Sequence, residues 1–368
     1  MKPNHLSCKL LSVIFIFVSF TIQIHAQKYV NEFFNISVGA RAHGMSGSMV
    51  ANTEDGTSGY WNPAGLTSMN SPFQINAMHA EWFGGIVNYD YLSVSKKFND
   101  VNNSAGSLSI IRMGVDNIPN TLDLVGEDGS VDYSRVTFFS DAAYAALISY
   151  AQNISKIKGL SVGGNIKIIH RSTGSFAKSW GFGADLGLRY VTDNWLFGAN
   201  FRDITTTYNA WNFTFSEEEK LVLALNNNEI PVQSSEVTLP RMILGSGYRG
   251  KFKKIGYLAE VNAVVSTDGR ESAIISGSRF IVEPSVGAEI DYIKKVFLRF
   301  GVGNFQTVRD ITNPTNTSLE VLPTVGLGLK LGRLHVDYAL ANIGSVSGVL
   351  ISHIFSAKLD FYPRSKAE

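Results

Sequence analysis

The residues that could do chemistry are spaced against it. Of seven histidines, His5 and His25 fall in an amino-terminal leader. His43, His79, His170, His335 and His353 are scattered along the chain without the close spacing that a metal site uses. Gly44-Met45-Ser46-Gly47 lacks the G-x-S-x-G order of a nucleophile elbow, and no strand–turn–helix pattern surrounds it. Gly181-Phe182-Gly183 lies inside an alternating segment, not at the strand-to-helix turn that would hold a dinucleotide pyrophosphate. The acidic stretch with Asp116, Asp123, Glu127, Asp128 and Asp132 would attract a cation by charge, yet its spacing matches no calcium loop. The single cysteine, Cys8, excludes a disulfide framework and a Cys-based zinc site. The expectation is a protein that is no enzyme, with no catalytic residue, no cofactor and no metal.

The composition points to a different use of side chains. Charged residues make up 17% of the 368, against roughly 25% in an average soluble domain, and there are 34 glycines. The 32 basic and 31 acidic residues leave no basic footprint for nucleic acid. Lys2 and Lys9 precede the apolar run Leu10–Phe20, and Ile24-His25-Ala26 ends on a small residue. Residues 1–26 therefore read as a cleavable export signal. Every later apolar run is interrupted within a few positions. An exported chain of this kind is either a soluble β-protein or a closed barrel in an outer membrane.

From residue 71 the chain alternates with period 2. In 180–190, Trp180, Phe182, Ala184, Leu186, Leu188 and Tyr190 share one face. Gly181, Gly183, Asp185, Gly187 and Arg189 share the other. An apolar face with an aromatic at each end fits lipid between two interfaces, and the small or charged face fits a lumen. The pattern recurs at 195–202, 286–292, 324–331 and 355–361. It places Asp185, Arg189, Arg202, Glu289, Asp291 and Lys330 on the lumen face, where neighbouring glycines leave room for them.

The expected strands are 71–79, 88–98, 105–114, 138–150, 158–171, 179–191, 195–204, 238–249, 255–266, 281–292, 296–305, 321–331, 333–342 and 351–361. This predicts an all-β fold, a 14-stranded antiparallel transmembrane β-barrel over 71–361, with a periplasmic tail at 362–368. The connections alternate between about 8, 23, 7, 33, 14, 15 and 8 residues and about 6, 7, 3, 5, 3 and 1, as long extracellular loops and short periplasmic turns do. In the longest, 205–237, Ser216-Glu217-Glu218-Glu219 is a capping box that starts a short helix, stopped at Asn226-Asn227-Asn228. Trp211, Phe213 and Phe215 in that loop are candidates to line a solute site, dock a partner or pack on the helix.

Residues 27–70 do not alternate. They hold Gly39-Ala40-Arg41-Ala42-His43-Gly44-Met45-Ser46-Gly47 and Tyr60-Trp61-Asn62-Pro63-Ala64-Gly65-Leu66. Such a compact, small-residue segment ahead of the first strand would serve as a plug, or hatch, in a lumen that must otherwise be filled or left open. These two motifs, with the acidic stretch Glu54-Asp55 between them, resemble the amino-terminal signature of the PorV/PorQ family of Bacteroidota outer-membrane proteins. Asn62-Pro63-Ala64 also resembles the hatch motif of the wider FadL-like superfamily of 14-stranded long-chain fatty-acid transporters. Leu239–Gly245, Val336-Asp337-Tyr338-Ala339 with Asn342-Ile343-Gly344, and Ser352–Ser356 resemble strand patterns of the PorV/PorQ family. Gly65 stands where the PorV branch carries lysine, which points to a paralogue. The resemblance implies a part in type IX protein secretion, with translocon, cargo or surface-attachment proteins as partners. The FadL-like alternative implies an outer-membrane transporter of hydrophobic small molecules. Outer-membrane lipid is a partner in both.

Overall fold

In the computed structural model the described residues are 31–362, apart from 99, 123, 125–129, 226–232, 268–274, 277–279, 310–316 and 342–350. The leader 1–26, the 226–228 helix stop, the 342–344 run and most of the tail lie outside them.

Alternating segments pair into one antiparallel sheet. Its strands are β1 (Phe73–Trp82), β2 (Val87–Lys97), β3 (Ala105–Asn120), β4 (Thr137–Asn153), β5 (Leu160–Thr173), β6 (Ala177–Thr192), β7 (Trp195–Arg202), β8 (Thr207–Phe213) and β9 (Gln233–Thr238). They continue as β10 (Arg241–Phe252), β11 (Ile255–Ser266), β12 (Ile275–Ser276), β13 (Ile281–Tyr292), β14 (Val296–Arg309), β15 (Thr317–Leu331), β16 (Leu334–Ala341) and β17 (Ser352–Phe361). The sheet closes where β1 pairs with both β2 and β17.

The closed ring has 14 staves, as the alternation predicts. The extra segments add none. β8 prolongs β7, since β6 pairs with β7 along its lower half and with β8 along its upper half. β9 likewise runs into β10, pairing with β8 while β10 pairs with β7. Both staves break at one level. Pro240 lies in the gap between β9 and β10, and it has no N–H to give the ladder. Asp203 and Thr206 take left-handed φ values of 54° and 61°. The two-residue β12 adds only a short patch to β13.

The 205–237 segment therefore differs from the single helical loop expected of it. β8 and β9 carry the wall up through it, and helix α3 (Glu217–Leu225) lies in the connection between them. The β1–β2 connection also shortens, to 83–86. Apolar patterning marks only the lipid band, whereas ladder hydrogen bonds extend the wall past it. The capping box is present: Glu219 N donates to Ser216 Oγ (3.1 Å) and Ser216 N to Glu219 Oε2 (2.7 Å).

Outward positions are apolar and exposed, among them Trp180 (55%), Phe182 (58%), Leu186, Tyr190, Trp195 and Phe197. The buried hydrophobic residues lie on the other face, among residues 33–69 and the inward positions of the wall. At the short-turn end each turn is tied to a neighbouring one. Arg249 N donates to Asn194 O (2.9 Å), Ile293 N to Lys254 O (2.8 Å), Lys330 N to Lys295 O (2.7 Å) and Asp360 N to Arg333 O (2.9 Å).

Candidate functional site: the barrel interior

Residues 31–70 meet inward-facing groups from staves all round the ring. Their own frame is short: a 3-10 turn at Glu32–Asn35, helices α1 (Ala40–Gly44) and α2 (Ser58–Trp61), and a 3-10 turn at Pro63–Ser68. Asn62 ends α2 and caps the next turn, where Ala64 N donates to its Oδ1 (3.2 Å) and Pro63 takes the first position. A proline there gives up an N–H that would have no partner anyway.

The Tyr60–Gly65 motif is buried, and each polar member is spoken for. Tyr60 OH is shared between Phe34 O (2.5 Å) and Ile36 O (2.9 Å). Trp61 Nε1 donates to Val38 O (2.9 Å). Asn62 Nδ2 reaches both Val50 O (2.8 Å) and Leu188 O of the wall (2.9 Å). In return Asn200 donates to Trp61 O (2.8 Å) and Asn165 to Gly59 O (2.6 Å). Gly65 is a matter of room. A Cβ there would lie 2.5 Å from Thr53 O and 2.9 Å from Ser58 Oγ, so a lysine at this position would displace the turn.

Wall glycines make the close approach possible. A Cβ on Gly287 would fall 2.6 Å from Met45 O, and one on Gly163 would fall 2.6 Å from both Ala64 N and Pro63 C. Gly326, Gly301, Gly245, Gly198 and Gly187 face the segment in the same way at Gly44, Met45–Ser46, Val50 and Asn62–Pro63. Under 3.0 Å the backbone has to shift, so glycine here is a steric requirement.

Between the glycines sit the charges. Arg189, 1% exposed, donates to Ala51 O (2.7 Å), Ser68 Oγ (2.6 Å) and Glu54 Oε1 (2.6 Å). Arg249 joins the same Glu54 oxygen at 2.6 Å. Glu289 takes Arg41 in a two-pronged contact (2.9 and 3.2 Å) and Arg299 at 2.6 Å; Arg299 then reaches Asp337 at 2.6 Å. Arg202 donates to Tyr60 O (3.0 Å) with its guanidinium 4.4 Å above the Tyr60 ring. Asp185 lies 2.8 Å from Lys167, which also pairs with Asp203. Asp291 accepts from Lys294 N (2.8 Å) near the short-turn rim, and Lys330 lies half-buried beside it.

Sequence reading singled out none of Lys167, Asp203, Glu260 or Arg299, and it marked Glu54 only as part of an acidic stretch, with no partner in the wall. Inward parity marks Lys167, Glu260 and Arg299. Glu54 lies outside any alternation, and the position of Asp203 in the expected strand 195–204 gives it the outward parity of Phe197 and Phe201. Glu260, 1% exposed, accepts from Ala51 N (2.9 Å) and Asn52 Nδ2 (2.7 Å).

The segment's own titratable groups respond to this burial. Burial alone drives the His43 imidazole down to about 4, only partly opposed by its bond from Nε2 to Ser37 O (2.7 Å). Burial would raise the Asp55 carboxyl, but Lys358, Thr57 and Arg41 more than offset it and hold it below the usual range. Burial would lower the Arg41 guanidinium; Glu289, Asp55 and Glu54 reverse that and hold it above its usual value.

The inner wall from β16 through β17 and β1 to β4 is built differently. Toward the long-loop end it presents Ala339, Ala341, Ile354, Met78, Ala80, Tyr89, Ile111, Met113, Ala143, Ala145 and Leu147, which pack with Phe33, Phe34 and Ile36. Below them come Gln74, Asn76, Ser93, Ser95, Ser107, Ser109 and Ser149. At the mouth Trp211, Phe213 and Phe215 lie on or just beyond β8, not on α3. Trp211 donates from Nε1 to Glu236 (2.7 Å) under Arg171, and the rings run Trp211–Phe213–Phe215–Phe176–Phe139 with centroid spacings of 6.2, 6.4, 6.0 and 5.2 Å.

No protein-family model matches this chain, and no curated protein matches its sequence. Solved structures do match, over most of its length. The toluene transporter TodX of Pseudomonas putida aligns with a TM-score of 0.55 at 14% identity, over 88% of this chain and 98% of that one. The CymD monoaromatic hydrocarbon channel gives 0.55 at 14%, over 90% and 99%. A Pseudomonas aeruginosa FadL homologue gives 0.51 at 12%, over 88% and 98%. What is shared at such identities is the fold, that of the FadL-like 14-stranded barrel.

Proposed function

We propose that this chain is a non-enzymatic outer-membrane barrel that admits hydrophobic small molecules through its long-loop mouth. The observation that carries this reading is the aromatic row from Trp211 to Phe139 at the mouth, above an apolar cluster of Ile111, Met113, Leu147 and Ile354 that Phe33, Phe34 and Ile36 cover and that a shift of the hatch would expose. An apolar solute gains by leaving water for such a surface, at about 25 cal/mol per Å² buried. The outward apolar face between aromatic rows suits a lipid bilayer, which puts the short turns in the periplasm. Neighbours described as a toluene transporter and a monoaromatic hydrocarbon channel support the same reading. In this account residues 1–26 are the export signal and residues 27–70 are the hatch, with Tyr60–Gly65 as its hinge-point against β6 and β7. Deleting the gene slows uptake of an aromatic hydrocarbon, and Asn62→Ala alters the rate. Unchanged uptake across a broad panel of hydrophobic compounds contradicts it.

A second reading has one observation in its favour, the Gly39–Gly47 and Tyr60–Leu66 motifs that resemble the PorV/PorQ family. It makes the barrel an accessory of type IX secretion that binds translocon, cargo or attachment proteins. A pull-down of the tagged barrel then recovers such proteins, and deletion traps cargo in the periplasm. Recovery of the barrel alone, with normal secretion, removes this reading.

A further inference from the structure

The short-turn end opens into a cavity of about 920 Å³. Its walls carry Arg249, Lys251, Lys253, Lys254 and Lys294 from two neighbouring hairpins, β10–β11 and β13–β14. The carboxylates in the same cavity are already committed. Glu54 is held by Arg189 and Arg249, Glu289 by Arg41 and Arg299, and Asp291 by the Lys294 backbone. The lysine ammonium groups are not. Among the described residues Lys251, Lys254 and Lys294 make no ion pair, and Lys253 lies only over the Phe252 ring at 5.5 Å. A concave, low-dielectric mouth focuses such uncompensated charge toward an incoming anion.

We infer that this mouth docks an acidic, extended peptide segment of another protein. Three features favour that occupant. The cations come from separate hairpins, so successive carboxylates along a chain meet them better than one small anion does. The cavity also presents the exposed Asn70, whose amide suits a peptide backbone, while Asn52, Asn103 and Asn194 already donate to Glu260, Thr67 O and Tyr248. The hairpins are pre-set, because Ile293 N donates to Lys254 O at 2.8 Å and Arg249 N to Asn194 O at 2.9 Å. Preorganised donors lose little freedom on binding. A bilayer surface is a poorer fit, since Arg249 and Lys251 share the inward parity of Gly245 and Gly247, while Lys253 turns out over the exposed Phe252 ring. The partner's periplasmic location rests on the orientation proposed above; the docking chemistry does not.

The test uses the purified full-length barrel in detergent and a fluorescent poly-glutamate peptide, read by anisotropy. Binding is expected to weaken steeply as salt rises from about 50 to about 300 mM. Lys251→Glu/Lys253→Glu/Lys254→Glu/Lys294→Glu should weaken it roughly tenfold or more, while Lys156→Glu on the β4–β5 turn leaves it within about twofold. The charge-neutral quadruple glutamine variant should fall between, and heat-modifiable migration on gels verifies that each variant is folded. Equal binding of poly-lysine, no effect of the quadruple reversal, or full displacement by about 10 mM phosphate each overturns the inference. So does a quadruple variant that loses phosphatidylglycerol vesicles but keeps the peptide. Orientation is read separately. With Cys8 as the chain's single cysteine, Lys254→Cys should resist an impermeant maleimide in intact cells. Labelling there overturns the orientation and leaves the peptide result standing.

Discussion

The two arcs of the inner wall solve one packing problem in opposite ways. From β5 to β15 the wall supplies the glycines, and side chains and backbone of residues 44–64 press against them. From β16 to β4 the wall keeps its side chains, and the segment supplies the glycines. Gly56 lies against Asn76, Ser93 and Ser95, and Gly59 against Ser109 and Ser149. The buried arginines of the wall follow the same division. Arg189, Arg202, Glu289 and Arg299 all sit in the first arc, where missing side chains leave space for long ones. In the second, charge is carried by Asp337, Lys358 and Asp360 on β16 and β17, while serines and, higher up, apolar residues fill β1 to β4. Both arcs hold the segment, the first through glycine contacts and arginines, the second through polar groups such as Ser356, Gln74 and Tyr91 and, on the mouth side, an apolar cluster covered by Phe33, Phe34 and Ile36.

The largest effect that would break this contrast belongs to Arg189. Arg189→Ala strands Ala51 O and Ser68 Oγ and leaves Glu54 to Arg249 alone, and loss of one partner of a buried pair costs about 3–5 kcal/mol. Thermal unfolding should drop accordingly, and protease should reach residues 44–68. A midpoint unchanged from the parent chain shows that the grip lies elsewhere. Acid should come next. The His43 imidazole is held down from 6.5 to about 4 by burial, so the native state stays neutral where the unfolded chain takes a proton. Stability is thus complete above about pH 6.5 and is lost progressively toward pH 4, by about 3 kcal/mol. Asp55, also held low, adds to the loss at still lower pH. With Trp82 at 5.5 Å from the imidazole, tryptophan emission during an acid titration reports the change, and His43→Gln should flatten it.

Glycine substitutions test the contrast itself. Gly287→Ala and Gly59→Ala should each cost about 1–3 kcal/mol by overpacking. They differ in repair. Gly59→Ala meets Ser149 Oγ at 2.8 Å, so Ser149→Gly should restore it; Gly287→Ala meets Met45 O, a backbone atom that no side-chain change removes. Equal rescue at both sites erases the distinction between the arcs. The smallest effect is at α3, where Ser216→Ala should cost about 1 kcal/mol of local helix stability and leave the barrel midpoint unmoved.

The barrel was legible in the sequence because period-2 alternation depends only on neighbours along one strand. Asp185 and Arg189 announce their face through Gly181, Gly183 and Gly187, and the Ser216–Glu219 box announces α3. The broken staves at 203–206 and 239–240 were not, because polar residues above the lipid band carry no alternation while their backbones still pair. The partners of the lumen charges were hidden for another reason. Glu54 meets Arg189 across 135 residues, and nothing local to either marks the other. The division into two arcs emerges only when the sheet closes and brings β15, β16 and β17 round to β1.

The most direct test of the central claim compares one substitution in each tier of the second arc. Cells producing the barrel are given a radiolabelled aromatic hydrocarbon, and uptake is measured for Ile111→Asp on the apolar tier and Ser107→Asp on the serine tier. The account predicts that Ile111→Asp reduces uptake about tenfold or more while Ser107→Asp changes it by less than about twofold, given the cost of an unpaired charge on an apolar path. Equal uptake by Ile111→Asp, Ser107→Asp and the parent chain would contradict it.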